Sequence, residues 1–344
     1  MSQGKLRPFI IPVFIPHTGC PHRCLFCDQE KITSREAWPI TGGTVRSIID
    51  AALKSPKFHK GGFSQVAFYG GTFTRLPEED MKGVLGAVSP FVKERIISSI
   101  RVSTRPDALD VKRLLIMKEF FVDTVELGVQ SMDNEVLSLC RRGHTMQDNI
   151  DAVQTLKGMG FRVGVQLMPG LPGDSESRFH DGISKIIDLA PSMARLYPAL
   201  VIEGTELADL YRAKRYRPLT LQEAVRICAS ACRRLEEKGI PVIRMGLMSS
   251  PSLLEKGRIL DGPWHPAFGF LVRSFLFHEL NTAVLFKKRA TKTMKIFVNP
   301  RDEPLLRGHK NQGVQCIEEK TAARVLEIIP DDTLPGGRIR VENL

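Results

Sequence analysis

The sequence predicts an α/β fold: six βα units followed by a small C-terminal α+β appendage. Two observations predict it. Short, nearly continuous apolar runs alternate with amphipathic helical patterns through residue 202. Unbroken apolar strands belong to parallel sheets covered on both faces. The 344 residues are also 42% hydrophobic and 25% charged, enough for a large core. That composition excludes wholesale disorder, a collagen-like fibre and a mini-protein scaffold. Alternation alone leaves a barrel and a doubly wound sheet both open.

The first strand is read over Phe9–Ile15, in an apolar run interrupted by Pro12 and Pro16. This run is far shorter than the roughly 20 residues of a membrane span and lacks a signal-peptide cleavage pattern. A cytoplasmic chain with reduced thiols and no membrane partner is therefore expected. A helix over Thr44–Leu53 leads to a strand over Gln65–Tyr69. Pro77-Glu78-Glu79-Asp80 opens a helix read to Leu85, with proline in the first turn and acids at the positive end of the dipole. The third strand is Ile100–Thr104, and Asp107 is placed as N-cap of a helix reaching Lys118. Strand Thr124–Val129 precedes helix Asn134–Cys140, capped by Asp133. Helix Met146–Gly158 stops at Gly158 and Gly160, before strand Arg162–Met168. Helix Ser175–Leu189 follows, then a strand read as one run, Ala194–Ile202. A helix over Leu221–Lys238 and a strand over Pro241–Met245 close the core. In the tail, Ile296–Val298 reads as a strand, Glu318–Ile329 as a helix and Gly337–Val341 as a strand after a Pro-Gly-Gly turn. The domains are placed at 1–245 and 246–344.

Cys20-Pro-His-Arg-Cys24-Leu-Phe-Cys27 sets three thiols in C-x3-C-x2-C spacing after the first strand. The chain has 7 cysteines, an odd count that argues against a disulfide framework and for a metal or redox site. Three thiolates ligate three irons of a [4Fe–4S] cube and leave the fourth open to a non-protein ligand. A bacterial ferredoxin run would add a fourth cysteine before a proline, and none is nearby. Zinc is a second reading, with His17 or His22 completing a Cys3His set. A third has no metal at all. Gly70-Gly71-Thr72 follows the second strand, where glycines either admit a ligand to the backbone or make a plain βα turn. Gly158-Met159-Gly160 runs from helix into strand, the wrong order for a dinucleotide loop.

The cysteine spacing, with Phe26 just before the last thiol, resembles the signature of the radical S-adenosylmethionine (SAM) superfamily. The resemblance implies a partial TIM-type (βα)6 barrel, a [4Fe–4S] cluster on Cys20, Cys24 and Cys27, and SAM across the C-terminal strand ends. It implies reductive cleavage of SAM to methionine and a 5′-deoxyadenosyl radical that abstracts hydrogen from a substrate. An external low-potential donor, a ferredoxin or flavodoxin, would supply the electron. Gly70, Gly71 and Thr72 would hold the SAM amino group.

Five further segments extend the likeness: Thr104-Arg105-Pro106-Asp107, Val125–Ser131, Arg142-Gly143-His144-Thr145, Met168–Pro172 and Leu196–Ile202. Over about residues 12–220 they resemble the radical-SAM half of the Elongator catalytic subunit, which modifies the wobble uridine of transfer RNA. Oxygen-independent coproporphyrinogen oxidase is similar at a greater distance. By this resemblance Arg142 would pair with the SAM carboxylate and Gln130 would touch SAM. Gln166 would reach the ribose, and Phe26 would wedge beside the adenine. Taken alone, Arg142 also reads as an exposed arginine closing a helix, Gln130 as a strand-end polar residue and Gln166 as a polar residue satisfied by a neighbouring loop.

The chain departs from that pattern in places. Ser103 stands where the relatives carry Glu. Elongator-type enzymes space the first two cysteines more widely. They also carry a basic N-terminal extension and an acetyltransferase domain, and no acetyl-CoA loop is evident after residue 240. The substrate is thus left open between transfer RNA and a tetrapyrrole, with a non-catalytic metal-containing RNA-binding module as the alternative to an enzyme. The net charge of +11 favours an anionic partner without choosing one. Tyr211–Arg217 reads as an RNA contact or a solvated helix end. Cys140, Cys228, Cys232 and Cys316 read as buried, inert thiols. The turn-rich Gly262–Gly269 segment either covers the barrel mouth or joins two domains.

Overall fold

A computed structural model describes residues 8–15, 20, 24–28, 32, 40–286 and 292–344. Seven strands form one parallel sheet, in the order β1 (Phe9–Ile15), β2 (Ser64–Gly70), β3 (Ser99–Thr104), β4 (Val122–Gln130), β5 (Arg162–Leu167), β6 (Met193–Leu196) and β8 (Val242–Met245). The sheet curls into a half-barrel, so the partial-barrel expectation holds, and β8 adds one strand beyond the six βα units.

Strand alternation sorts the two faces of the sheet. Ile11, Val13, Val66, Phe68, Val102, Val125, Leu127, Val163 and Val165 enter the apolar core beneath the helices. The alternate positions, Gln65, Tyr69, Arg101, Ser103, Glu126, Gln166 and Arg195, therefore face the barrel lumen. The outer layer includes α1 (Gly42–Leu53), α2 (Glu78–Lys93), α3 (Val111–Glu119), α4 (Asn134–Leu139), α5 (Met146–Gly158) and α6 (Glu176–Leu189). Asp133 caps α4 as expected, accepting from the backbone of Glu135 and Val136. Thr145 and Asp148 form a capping box on α5.

Three expectations are corrected. Asp107 is not a helix cap: α3 is capped by Asp110, and Pro106–Ala108 makes a separate 3-10 turn. The Asp107 carboxylate is engaged by Arg105 instead. The run 194–202 is not one strand. It leaves the sheet at Leu196, and Val201–Ile202 forms β7, antiparallel to β9 (Ile259–Asp261). Pro198 lacks the N–H that a continuing ladder needs. The tail helix ends early: α12 (Gln312–Thr321) stops at Ala322, whose φ is 53°. Arg324–Pro330 is strand β11, with β-branched Val325, Ile328 and Ile329 suited to a pleated sheet.

Helices α7 (Glu206–Arg212), α8 (Leu221–Glu237), α9 (Phe268–Leu280) and α10 (Thr282–Leu285) follow the barrel sheet. β10 (Thr293–Val298) lies between β11 and β12 (Ile339–Asn343), and α11 (Glu303–Arg307) with α12 connects β10 to β11. Phe268, Val272 and Leu276 of α9 belong to the barrel core, while Phe277 joins the tail's own core with Leu285, Met294 and Ile296. One helix thus ties both parts together. Among the described residues no helix is long and apolar enough to cross a membrane.

Candidate active site

The cysteines follow β1, at the C-terminal edge of the barrel sheet. Two backbone bonds pin their loop: Leu25 N donates to Cys140 O at 3.2 Å, and Leu207 N to Leu25 O at 2.9 Å. Leu25 and Phe26 are buried with Val136, Leu171 and Leu207, and Cys24 and Cys27 pack at the edge of that cluster. The Cys20 sulfur lies 3.3 Å from Thr72 Oγ1. Burial raises the Cys20 thiol, and burial with the neighbouring thiols pushes Cys27 to about 12. Three crowded thiolates repel one another, so the group that fits them is a cationic centre. Among the described residues no three His, Cys, Asp or Glu side chains converge on one metal ion. A cubane asks for something else, because each thiolate takes its own iron. The histidines that zinc would need, His17 and His22, lie outside the described residues.

Two arginines face the loop from behind. Arg142, only 5% exposed, donates from Nη1 to Cys24 Sγ at 2.9 Å and from Nη2 to Gly128 O at 2.7 Å. It is therefore not the exposed arginine of the alternative reading. Arg105 holds Asp107 with a two-pronged bond of 2.9 and 3.0 Å, and also donates to the Arg142 carbonyl. Its Nη1 lies 3.9 Å from Cys24 Sγ. His144 lies buried behind this pair, its imidazole lowered to about 4 by burial and by the two guanidiniums.

The end of β4 is irregular, and that irregularity builds the site. The register with β5 shifts between Leu127 and Gln130, and Gln130 has a φ of 64°. Such a bulge re-aims side chains at a strand end. Gln130 Oε1 accepts from Gln166 Nε2 at 3.2 Å, so the two predicted SAM-facing amides meet. A Cβ on Gly128 would come within 3.0 Å of Gln130 Nε2 and 3.3 Å of Arg142 Nη2. Only glycine leaves room for both. Across the sheet, Gly70 has a φ of 108°, and Gly71 N donates to Ile15 O at 2.8 Å. That turn places buried Thr72 beside Cys20.

The sequence reading missed the residues of the lumen. Arg101 donates to Glu126 and, at 2.7 Å, to Gln65 Oε1. Arg195 reaches Glu126 Oε1 at 2.9 Å, Tyr69 Oη at 2.9 Å and Tyr197 Oη at 3.0 Å. Ser103, the departure noted on β3, is the register partner of Glu126. The lumen thus keeps a carboxylate, one strand over, between two arginines. The available signal was Arg101-x-Ser103 and Arg195-x-Tyr197, polar residues two apart on otherwise apolar strands.

Comparison with known proteins agrees with this geometry. Residues 14–186, half of the chain, match the family model of the radical SAM superfamily. The chain belongs to the radical SAM superfamily. Residues 191–277 match the radical SAM C-terminal domain. The chain is 38% identical over 262 residues to a tRNA uridine(34) acetyltransferase of Methanocaldococcus infernus, covering 64% of this chain and 48% of that one. It therefore spans about half the length of that relative. An uncharacterised protein of Methanocaldococcus jannaschii is 29% identical and matches over 85% of this chain and 88% of its own. Among solved structures, the archaeal Elp3 of Methanocaldococcus infernus superposes with a TM-score of 0.60 at 26% identity, covering 79% of this chain and 63% of that one. The cofactors of this radical SAM enzyme are those of its family, a [4Fe–4S] cluster and SAM.

Other candidate features of this radical SAM chain find structural duties. In Tyr211–Arg217, Arg212 pairs with Glu203, Arg217 with Glu223, and Tyr216 donates to Gly170 O at 2.6 Å. Much of that basic stretch is thus consumed locally. Cys228 and Cys232 are buried in the core, as expected, but Cys316 is only half-buried. Cys140 is buried too, yet its carbonyl anchors the cysteine loop. Trp264 and Phe268 line a recess with Pro198 and Gly246, just past the ends of β6 and β8. The Gly262–Gly269 segment therefore sits at the barrel mouth.

Proposed function

We propose that this radical SAM enzyme acts on transfer RNA, with its cluster on Cys20, Cys24 and Cys27. In this reading Gly70, Gly71 and Thr72 take the SAM amino group, and Arg142 takes the carboxylate. Gln130 and Gln166 face the remaining polar atoms, and Phe26 lies beside the adenine. The observation that carries the reading is the place of Arg142, one guanidinium against both a cluster cysteine and the bulged end of β4. When bound there, the cluster and SAM would supply radical hydrogen-abstraction chemistry.

The chain's own residues prepare that site. Arg105, locked by Asp107, fixes the backbone at Arg142 and so aims its fork. Leu25, Phe26, Leu171 and Leu207 keep water from the cysteine loop. The electron comes from an external low-potential donor. Residues 1–245 form the catalytic body and 246–344 the appendage, whose α9 packs into the barrel core. The transfer RNA assignment is supported by the relatives named for tRNA uridine(34) and by the net charge of +11.

Anaerobic reconstitution tests the reading. About four irons per chain are expected, together with 5′-deoxyadenosine that forms only when reductant is present. Cys24→Ala should abolish both, and transfer RNA should bind with a steep loss on added salt. A fully loaded cluster that never cleaves SAM removes the catalytic part. Porphyrin binding without transfer RNA binding removes the substrate part.

A further inference from the structure

Among the described residues, the paired arginines of the barrel lumen outnumber the carboxylates they pair with. Arg101 and Arg195 share a single carboxylate, Glu126, and both arginines bond its Oε1. Arg244, exposed on β8, is the register partner of Arg195 and adds a further basic residue at that edge of the sheet. Burial holds Tyr69 in its neutral form, so it supplies no compensating charge. Cations withdrawn from water, as Arg101 is fully and Arg195 partly, are costly when short of counter-charge unless an anion completes them.

The tyrosines define what completes them. Arg195 donates to the hydroxyl oxygens of Tyr69 and Tyr197, so each phenol acts there as an acceptor. Each keeps its O–H hydrogen to give away. Among the described residues no further hydrogen bond engages either hydroxyl. The guanidinium also lies over the Tyr69 ring, 5.0 Å from its centroid, which fixes its plane. All three side chains are only half-buried and face the lumen. Arg195 stands one strand past the Gln130–Gln166 pair, because Gln166 is its register partner, and Tyr69 meets it across the lumen from β2. Arg195 and Tyr197 therefore lie past the two amides assigned to SAM, on the side left for the substrate, while Tyr69, the residue before Gly70, borders the SAM surface.

We propose that Arg195, Tyr69 and Tyr197 form an oxyanion-binding subsite that takes a phosphate or carboxylate of the substrate. The inference rests on the radical SAM site above. For an RNA substrate, the oxyanion is a phosphate of the target nucleotide.

The test titrates the reconstituted, SAM-loaded holoenzyme with uridine 5′-monophosphate, uridine and glutarate at low salt, by equilibrium dialysis. The monophosphate should bind about tenfold or more tightly than uridine. Tyr197→Phe, which deletes only a hydroxyl, should weaken the monophosphate about three- to tenfold. Arg195→Gln should erase the difference between monophosphate and uridine. In that variant Glu126 keeps Arg101, so no carboxylate is stranded. Should Arg195→Gln fail to fold, Tyr197→Phe decides alone. Preference for glutarate over both nucleoside ligands would uphold the subsite and reject transfer RNA as substrate. Equal binding of uridine and its monophosphate, or a preference unchanged in Tyr197→Phe, would overturn the subsite whatever the fate of the RNA reading.

Discussion

Arg142 Nη1 lies 2.9 Å from Cys24 Sγ, while the same guanidinium holds the Gly128 carbonyl from Nη2. The cysteine loop follows β1 and Gly128 sits on β4, so one side chain ties that loop to the end of β4. In the proposed function this guanidinium takes the SAM carboxylate. Arg142→Gln is expected to retain the cluster and weaken SAM binding about ten- to hundredfold, the scale of a lost charged fork. Iron analysis and equilibrium dialysis with labelled SAM separate the two effects. Loss of iron with unchanged SAM affinity per loaded chain would move Arg142 from SAM binding to cluster retention.

Gly128 bears the close approach that this arrangement requires. A methyl group there meets Gln130 Nε2 at 3.0 Å and Arg142 Nη2 at 3.3 Å. Gly128→Ala should therefore displace both side chains and destabilise the fold by about 1–3 kcal/mol, as overpacking does. SAM affinity should fall with it. Thermal unfolding and SAM dialysis on one preparation check this. A stable variant with wild-type SAM affinity would show that neither side chain is held where SAM binds.

Strand and helix positions were legible wherever local chemistry decided them. Continuous apolar runs marked the sheet, Asp133 marked a cap, and the spacing of Cys20, Cys24 and Cys27 pointed to the loop after β1. What was not legible depended on partners far along the chain. Arg195 and Tyr69 stand 126 residues apart and meet only because β2 and β6 curl around one lumen. Pro198 was visible, but the short β7 gains its identity from β9, some 60 residues later. Arg324–Pro330 has helical neighbours in sequence and becomes a strand because β10 offers it an edge.

Ala190 ends α6 in the left-handed region, with φ 46° and ψ 60°. An L-residue pays about 1–2 kcal/mol there, and glycine does not. The residue is exposed, so its methyl contributes little packing. Ala190→Gly should stabilise the chain by about 0.5–1 kcal/mol, the strain relieved less the extra freedom of the unfolded chain. Denaturant unfolding measures it. A destabilised variant would mean that the helix end is not held in this conformation in solution.

His144 makes the fold sensitive to acid. Burial first, then the Arg142 and Arg105 charges, lower its pKa from 6.5 to about 4. Asp107, 3.9 Å from Nδ1, and the Val129 backbone offset only part of that lowering. The folded chain therefore binds fewer protons at this site than the unfolded chain between pH 4 and 6.5. The stability gained by keeping the ring neutral is complete above about pH 6.5 and drains away as the pH falls towards 4. The shift corresponds to about 3 kcal/mol. His144→Phe removes the titration without stranding a partner, so the difference in unfolding free energy between variant and wild type should move in the variant's favour by about that amount from pH 7 to pH 4. Carboxylates titrate in both proteins and cancel in the difference. Denaturant unfolding at pH 7, 5.5 and 4.5 reads it, and parallel pH profiles would show that His144 is hydrated rather than sealed behind the arginines.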